Sequence, residues 1–486
     1  MTARATAAFS LWHPRTLLLT VGLLLTIIGP AFESLAVATS MPATVAELGG
    51  LAWYGWAFSA FMLAQIVGIT ISGPLIDRYG PAGPFLLGMG AFAIGLAVAG
   101  LASTMELLIV GRVIQGFGGG FNASVVYAVV ARAYPDRLRP RMLALVASAW
   151  ILPGLLGPAL AGVVVETVGW RWVFLGLLPA ILVALIFTWP SLRRIGGIPA
   201  TALPLRQARD ALLLALGVGV ALGAPGLTRD SLAWLGPPVA ALPLWPVVLG
   251  LLAAGALLTL VMLRRLLPPG TLLVAAGLPA AIAIHLLVNL AFFGVDAFLP
   301  LAFDDVRGGT AIDSGLALTA GTIAWTLGAW LLERLAGHMT QRRLTALGII
   351  LIAVGAASFI ITLDGRVPLW FGIVGWGVAG LGMGLSYTML TLCALDLAGD
   401  GGAGSASAAL NLASVLGIAG ATGFGGILVA QAERQQFGAG PALGAQGVLM
   451  LLVLLGALAA TRRLPAGVRR ATADEPPRSA PTPAAE

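Results

Sequence analysis

The sequence predicts an all-α polytopic membrane protein, and three observations support this fold class. The 486 residues are 59% hydrophobic and 10% charged, with a mean hydropathy of +0.97, which is typical of membrane proteins and not of soluble domains. Uncharged stretches of about 20 residues, long enough to cross a bilayer as helices, recur along the chain. Glycine is abundant, at 65 residues, and small residues let transmembrane helices approach closely.

Fourteen apolar stretches are predicted to be transmembrane helices. Six lie near residues 17–39, 51–73, 84–103, 107–131, 142–165 and 172–190. Eight more lie near 211–228, 238–263, 273–302, 314–332, 344–363, 369–393, 403–430 and 444–461. The stretch at 211–228 is the weakest, because it is short and contains Gly217, Gly219, Gly223 and Pro225.

The distribution of arginine predicts the orientation of these helices. All 27 basic residues are arginine. With the N-terminus in the cytoplasm, 21 arginines lie inside, five lie outside and Arg112 lies within a span, which agrees with the positive-inside rule. If only one helix of the 207–263 hairpin crossed, Arg342 and Arg343 would move outside. The hairpin therefore crosses completely or not at all, which gives fourteen spans, or twelve spans and a re-entrant hairpin.

The same charges divide the chain into four predicted segments. Residues 1–190 form a first six-helix half, and residues 191–265 form a connector with an extra transmembrane hairpin. Residues 266–463 form a second six-helix half. Residues 464–486, rich in proline, alanine and charge, are predicted to be a disordered cytoplasmic tail. The first apolar run continues into a full span without an A-x-A-like site, so a cleavable signal peptide is not predicted.

Composition and motifs disfavour several classes of function. The arginines lie in short loops between apolar runs, which indicates membrane orientation and not nucleic-acid binding. The single cysteine, Cys393, excludes a disulfide framework and a cysteine-based metal site. We find no H-E-x-x-H or G-x-S-x-G motif, and a chain without lysine has no Walker A motif. We therefore expect no enzymatic activity, no metal, no cofactor and no direct use of ATP.

Two acidic residues, Glu33 and Asp296, lie next to long uncharged runs inside predicted helices. An unpaired carboxylate in hydrocarbon is energetically costly, and such residues usually bind a proton, an ion or a substrate. Together with about a dozen spans, the two acids indicate a transporter.

A weak internal repeat supports this interpretation. Gly73-Pro74-Leu75-Ile76-Asp77-Arg78 ends the second predicted span, and Ala329-Trp330-Leu331-Leu332-Glu333-Arg334 ends the tenth. Each places an acid–arginine pair at the cytoplasmic end of the second helix of a six-helix half. Two bundles related by pseudo-two-fold symmetry, which rock about a central site, are a known arrangement of secondary transporters.

Four motifs in the first half carry a family resemblance. They are Gly73, Leu75, Asp77, Arg78 and Gly80 after helix two; Leu108, Arg112, Gln115 and Gly116 in helix four; Gly157, Pro158, Ala161 and Gly162 in helix five; and Glu33 nine residues before Pro42. With these motifs the sequence resembles the major facilitator superfamily, and within it the fourteen-helix drug:proton antiporters. It departs from the family pattern at Pro81, Ala82 and Gly83, where basic residues are expected, at Pro153 and Ala161, where glycines are usual, and in having glutamate at position 33.

The resemblance implies roles for some of these residues. It places helix four beside helix one, so that Arg112 lies within reach of Glu33. Two interpretations stay open: a proton-coupling pair, or a static ion pair that holds two helices together. The resemblance also implies a latch, in which Asp77 docks on the N-terminus of span thirteen after Gly401, Gly402 and Gly404. Glu333 and Arg334 would make the corresponding contact with span five.

Helix nine adds a second polar group. His285, Asn289 and Asp296 lie near one helical face, with His285 and Asp296 about 16 Å apart along the axis. One interpretation is a polar ladder beside a cavity, in which His285 and Asp296 join the coupling residues. In the alternative, His285 merely bonds a neighbouring backbone, and Asp296 is an interfacial residue in outside water. The candidate cavity residues are Gln115, Tyr127, Trp150, Asn289, Phe292, Trp325, Tyr387 and Asn411.

Together with these residues, the resemblance implies a proton-driven antiporter that exports hydrophobic or amphipathic compounds. It would act as a monomer in the plasma membrane of a bacterium, with both termini in the cytoplasm and H+ as the coupling ion. Few polar groups are available, which favours an amphipathic substrate over a sugar. Two alternatives stay open: a dedicated exporter of an endogenous lipid, siderophore or metabolite, and a non-transporting membrane scaffold or receptor.

Overall fold

The structure is a computed structural model, and it describes residues 14–135, 138–196, 205–228, 243–398 and 403–466. Over these ranges the protein is helical and has no β-strand. The first-half helices are α1 (Pro14–Leu48), α2 (Trp56–Tyr79), α3 (Ala82–Gly100), α4 (Met105–Ala133), α5 (Arg139–Ser148), α6 (Ile151–Thr167), α7 (Arg171–Leu175) and α8 (Leu178–Leu192). The central hairpin is α9 (Leu205–Gly223) and α10 (Leu244–Leu266). The remaining helices are α11 (Leu278–Asp296), α12 (Ala311–Leu335), α13 (Gln341–Thr362), α14 (Leu369–Ala398), α15 (Ala403–Arg434) and α16 (Ala439–Ala460).

The number of membrane-crossing segments agrees with the hydropathy pattern. In the described part of the chain, thirteen helices are long and apolar enough to cross a bilayer. A shorter apolar helix, α6, continues α5 after a break at Ala149 and Trp150, and the two together form the predicted fifth span. Pro153 lies within the first turn of α6, where a proline is tolerated. The predicted all-α membrane fold is therefore confirmed.

Local sequence sets several of the helix ends. Thr104 caps α4 by accepting from the backbone N–H of Leu107. Thr310 and Asp313 form a reciprocal capping box at the start of α12, as expected for a threonine followed three residues later by an acid. Gly80 ends α2 with φ +78°, a left-handed conformation that glycine adopts without steric cost. The resulting short turns place consecutive helices antiparallel.

The two halves share a packing pattern. In the first half α4 packs along α2 and α3, and in the second half α14 packs along α12 and α13. The second and third helices of each half thus contact the fourth in the same way. The repeat that is weak in the sequence is clear in the helix contacts.

The central hairpin packs beside both halves. Its helices α9 and α10 pack on each other, and Gly217 and Gly255 lie at their contact. Apolar residues on α9, among them Leu214 and Val218, pack with Leu63 of α2 and Leu416 of α15. Both helices are long and apolar enough to cross a bilayer, which favours fourteen spans over the re-entrant alternative. The first helix starts at Leu205, six residues before the predicted span.

Parts of all four predicted segments lie outside the described residues. They are 1–13 and 136–137 of the first half, 197–204 and 229–242 of the connector, 399–402 of the second half and 467–486 of the tail. Gly401 and Gly402, which were expected to precede the docking helix of the latch, also lie outside.

Close helix packing makes one glycine of α14 sensitive to substitution. A Cβ on Gly380 would lie 1.9 Å from the carbonyl oxygen of Gly321 on α12, so we expect Gly380→Ala to destabilise the protein by about 1–3 kcal/mol through overpacking. Gly377→Ala, one turn earlier, is the matched control, because its Cβ would meet no atom closer than 3.9 Å. Thermal unfolding of the purified protein in detergent should show a lower Tm for Gly380→Ala alone. Equal Tm values for the two variants would contradict this packing.

Candidate functional site

A buried ion pair joins α1 to α4. Glu33 and Arg112 have side chains that are 0% and 3% exposed, and the Arg112 Nη1 donates to Glu33 Oε1. Gln115 donates to the same carboxylate oxygen at 3.3 Å and accepts from Arg112 at 3.2 Å. Arg112 and Gln115 are three residues apart, so they lie on one face of α4. Glu33 is therefore not a lone acid, because α4 supplies it with a cation and an amide.

Arg112 also attaches α4 to α2. Its Nε donates to the carbonyl oxygen of Ala57 at 2.8 Å, and its guanidinium lies over the ring of Phe61, 4.3 Å from the centroid. The two helices approach closely at Gly116, where a Cβ would lie 2.1 Å from the Phe61 carbonyl oxygen. The helix-four motif thus combines a polar site with the glycine that lets α2 come close to it.

The second carboxylate oxygen of Glu33 is unusual. Oε2 is buried and has no hydrogen-bond partner among the residues that the structure describes. An acceptor that has left water without gaining a partner is energetically costly. This oxygen is therefore the atom of the buried pair whose hydrogen-bonding capacity is unused by the described residues.

The polar residues of α11 have three separate partners. His285 Nε2 lies 2.8 Å from the Ser414 hydroxyl on α15, and the Asn289 amide donates to the His285 carbonyl at 2.8 Å. Asp296 Oδ1 accepts from the indole N–H of Trp376 on α14 at 3.0 Å. Asp296 is half-buried and is the last residue of α11, so the coupling role and the interfacial role both stay open. No sequence pattern pointed to Trp376, although a buried tryptophan usually needs a partner for its indole N–H.

An aromatic cluster lies between these polar groups. Ring centroids are 4.6 Å apart for His285 and Tyr387, 5.5 Å for Tyr387 and Trp325, 5.6 Å for Trp325 and Phe292, and 4.8 Å for Phe292 and Trp376. The cluster connects α11, α12 and α14 from His285 to the partner of Asp296. Three of the predicted cavity residues, Phe292, Trp325 and Tyr387, therefore belong to one continuous aromatic surface.

The other predicted cavity residues do not join this cluster. Gln115 is part of the buried ion pair, and Asn289 is bonded to its own helix. Tyr127 is 59% exposed and Trp150 is 50% exposed, and Asn411 is exposed as well. Trp150 lies at the break between α5 and α6. These residues were chosen by their predicted depth in the membrane, and depth alone does not indicate which face of its helix a residue occupies.

Several hydrogen bonds between the halves lie at the same end of the bundle, which we call the Glu47 end; the opposite end is the Asp77 end. The Tyr54 hydroxyl donates to the Ala297 carbonyl at 3.0 Å. Ser59 and Thr422 hydroxyls are 2.9 Å apart, and the backbone N–H of Ile312 donates to Glu166 at 3.1 Å. The Glu47 end is therefore held closed in this conformation.

The helix-five motif contributes to this closed interface. A Cβ on Gly162 would lie 2.5 Å from the Ala311 carbonyl oxygen, and a Cβ on Gly315 would lie 2.4 Å from the Pro158 carbonyl oxygen. By contrast, a Cβ on Gly157 would meet Phe32 of α1 at an ordinary 3.6 Å. The motif therefore supplies a small-residue surface on α6 against which α12 packs, and it does not supply a ligand.

At the Asp77 end, Asp77 has a partner that the sequence did not predict. Its carboxylate accepts from Arg132 of α4, and Arg132 also donates to the Ile76 carbonyl at 3.1 Å. Arg78 stacks on its neighbour Tyr79, and a Cβ on Gly73 would meet open space. The side chains of Glu333 and Arg334, predicted to contact span five, are exposed. In this conformation Asp77 thus binds within its own half.

The buried ion pair generates a stability prediction. Arg112→Met removes the cation and leaves a buried carboxylate, so we expect a loss of about 3–5 kcal/mol. Adding Glu33→Gln to Arg112→Met should recover part of that loss, because no unpaired charge remains. Thermal unfolding in detergent of the two single variants and the double variant gives the coupling between the residues.

A surface pair is the matched control. Arg171 and Glu47 also form an ion pair, but their side chains are 35% and 52% exposed, and such pairs contribute about 0–1 kcal/mol. Arg171→Met should therefore change Tm little. Strictly additive effects of Arg112→Met and Glu33→Gln would show that the buried pair is not a coupled unit.

Comparisons with known proteins agree with the fold and the motifs. A probable multidrug-efflux transporter of Mycobacterium tuberculosis is 28% identical over 434 residues, which cover 86% of this chain and 87% of the relative. The methylenomycin A resistance protein of Streptomyces coelicolor is 29% identical and covers 85% of each chain. Among solved structures, a POT family transporter in complex with 5-aminolevulinic acid matches with a TM-score of 0.66 at 14% identity, over 93% of this chain and 97% of that one. A sequence profile of the Major Facilitator Superfamily matches residues 16–423, and the chain therefore belongs to that superfamily.

Proposed function

We propose that this protein is a proton-coupled antiporter that exports hydrophobic or amphipathic compounds by alternating access. The names of the relatives support the export of drugs, since they include multidrug-efflux and antibiotic-resistance proteins along most of the chain length. The buried Glu33–Arg112 pair is the observation that carries proton coupling. It is a titratable group in the membrane region that has one cation beside it and one oxygen without a partner among the described residues.

The proposed chemistry is an exchange of partners at Glu33. With Arg112 in contact, the carboxylate is stabilised by the adjacent positive charge. If Arg112 moves away, the carboxylate is left in an apolar surrounding, and a buried carboxyl group then becomes neutral by taking a proton. A movement of α4 relative to α1 can thus convert between a paired, deprotonated site and a separated, protonated one. Alternating access supplies such a movement.

The aromatic cluster supports an amphipathic substrate. Phe293 adjoins the cluster, with its ring centroid 6.2 Å from that of Trp325. Trp325, Tyr387 and Phe293 are half-buried, so their rings are accessible in part, and aromatic surfaces bind apolar and planar groups. Asp296 lies at one end of the cluster and His285 at the other. A compound with a large apolar part and one or two polar groups matches this surface better than a sugar does.

We further propose that the protein acts as a monomer in the bacterial plasma membrane and that the Asp77 end faces the cytoplasm. The excess of arginine in the loops at that end supports this orientation. The closed Glu47 end would then be the outer end, and the described conformation would be one in which the outer gate is shut. The coupling ion is H+, and no other cofactor is proposed.

Transport by purified protein in liposomes tests this function. With an imposed pH gradient and ethidium as the probe, wild type should move ethidium against its concentration gradient. Glu33→Gln keeps the shape of the side chain but binds no proton, so gradient-driven transport should fall to the level of empty liposomes, while exchange of ethidium without a pH gradient persists. A panel of neutral amphipathic compounds run in parallel defines the substrate range.

The exposed Glu47→Gln variant is the matched control, because it removes the same charge near the end of the same helix, from the surface pair with Arg171. It should transport like wild type. Uphill transport by Glu33→Gln would favour a static structural ion pair. If neither Glu33→Gln nor Arg112→Met had any effect on the protein's activity, the result would favour a scaffold or receptor.

The Asp77–Arg132 contact leads to a prediction about transport rate. If Asp77 leaves Arg132 and docks on the N-terminus of α15 when the Asp77 end closes, Asp77→Asn weakens that docking, because a neutral amide interacts less with the helix dipole. We expect slower ethidium transport that still depends on the pH gradient. Initial rates in liposomes give the measurement, with Glu433→Gln as the control, because Glu433 is exposed and lies in the last turn of α15, away from Asp77. A rate equal to that of wild type would contradict a latch at Asp77.

A further inference from the structure

One short segment of the second span contacts both the buried ion pair and the other half of the protein. We call residues 54–61 the gate segment. It comprises Tyr54, Gly55 and the first turns of α2. Because the same few residues touch a buried charge and the interface between the halves, a change at the charge can reach the interface through them.

On one side, the gate segment is attached to Arg112. The Ala57 carbonyl accepts from Arg112 Nε at 2.8 Å, and the Phe61 ring lies under the guanidinium. A hydrogen bond from a charged donor is stronger than one between neutral groups. The position of Arg112 therefore constrains the position of Ala57, and Arg112 is at the same time held by Glu33.

On the other side, the gate segment binds the second half. Tyr54 is 0% exposed, its hydroxyl donates to the Ala297 carbonyl at 3.0 Å, and its ring stacks on Phe298 at 5.3 Å. Further along the segment, the Ser59 hydroxyl lies 2.9 Å from Thr422 Oγ1. These contacts close the Glu47 end.

A direct hydrogen bond connects the two sides. The backbone N–H of Ala57 donates to the Tyr54 carbonyl at 3.2 Å, so the residue held by Arg112 and the residue held by Ala297 belong to one hydrogen-bonded turn. The structure shows the paired state of Glu33 and Arg112 together with a closed Glu47 end.

We propose that Tyr54 is a positioning residue that couples the state of the Glu33–Arg112 pair to closure of the Glu47 end. This inference rests on the proposed function, because it assigns a consequence to the loss of charge at Glu33. While the pair is formed, Arg112 holds Ala57 and presents Tyr54 to Ala297 and Phe298. When Glu33 becomes neutral, Arg112 loses its anchor, the turn loosens and the Glu47 end opens more readily.

Distances between spin labels across the Glu47 end test the coupling. Ser103 and Gln435 are exposed residues next to α4 and α15, and both are replaced by cysteine in a Cys393→Ala background. The fraction of open molecules is measured by double electron–electron resonance in lipid nanodiscs. The chains compared are wild type, Glu33→Gln, Tyr54→Phe and the double variant. Tyr54→Phe keeps the ring and removes only the hydroxyl.

We expect Tyr54→Phe to raise the ratio of open to closed molecules about 2- to 10-fold, the effect of losing one buried hydrogen bond. Glu33→Gln should raise it as well. The double variant should fall clearly short of the product of the two effects, because both act through the same turn. Tyr134→Phe is the matched control, since its hydroxyl bonds Thr20 within the first half at 2.8 Å, and it should leave the ratio unchanged.

The results separate this inference from the proposed function. If Glu33→Gln alters neither gradient-driven transport nor the open fraction, the proposed function fails. If Glu33→Gln alters both, but Tyr54→Phe leaves the open fraction unchanged or the two effects multiply independently, the coupling through Tyr54 is overturned and the proposed function stands. An equal rise for Tyr134→Phe would also overturn it, because the effect would then not be specific to the gate segment.

Discussion

The burial of one charge pair constrains the first half of this protein. Glu33 and Arg112 are enclosed where water does not offset their charges, and removing either partner alone would leave a desolvated ion. While both residues are charged, α4 therefore stays close to α1, and the contacts of Arg112 with Ala57 and Phe61 bring α2 to the same place. Three helices are thus positioned by one guanidinium. A pair that is costly to bury and simple to neutralise by a proton is well suited to convert protonation into movement.

The two ends of the bundle are built differently. At the Glu47 end, small residues let the helix backbones of the two halves lie in direct contact, as at Gly162 and Ala311. A few hydrogen bonds that involve hydroxyl and carboxylate groups hold the two halves in position. At the Asp77 end, the motif acid is bound by Arg132 within its own half. The docking on α15 proposed above would give this acid a second partner across the interface, and an exchange between the two partners would act as a latch.

Much of this arrangement could be predicted from the sequence, and the exceptions have a common cause. Hydropathy and arginine placement predicted the spans, because a bilayer imposes length and polarity on each segment. The contact of Arg112 with Glu33 followed from family resemblance. The partners Trp376, Arg132 and Ala297 were missed, because each depends on how distant helices rotate against one another. For the same reason Tyr127, Trp150 and Asn411 have suitable depth but lie outside the aromatic cluster, and the break between α5 and α6 left no clear hydropathy pattern.

Proton-coupled export requires that Glu33 take up and release a proton during the transport cycle, in competition with the substrate. The most direct measurement is the release of protons by purified protein in weakly buffered detergent when ethidium is added, followed with a pH-indicator dye. The account predicts proton release by wild type and none by Glu33→Gln, with ethidium binding retained in both. Equal proton release by the two proteins would contradict it.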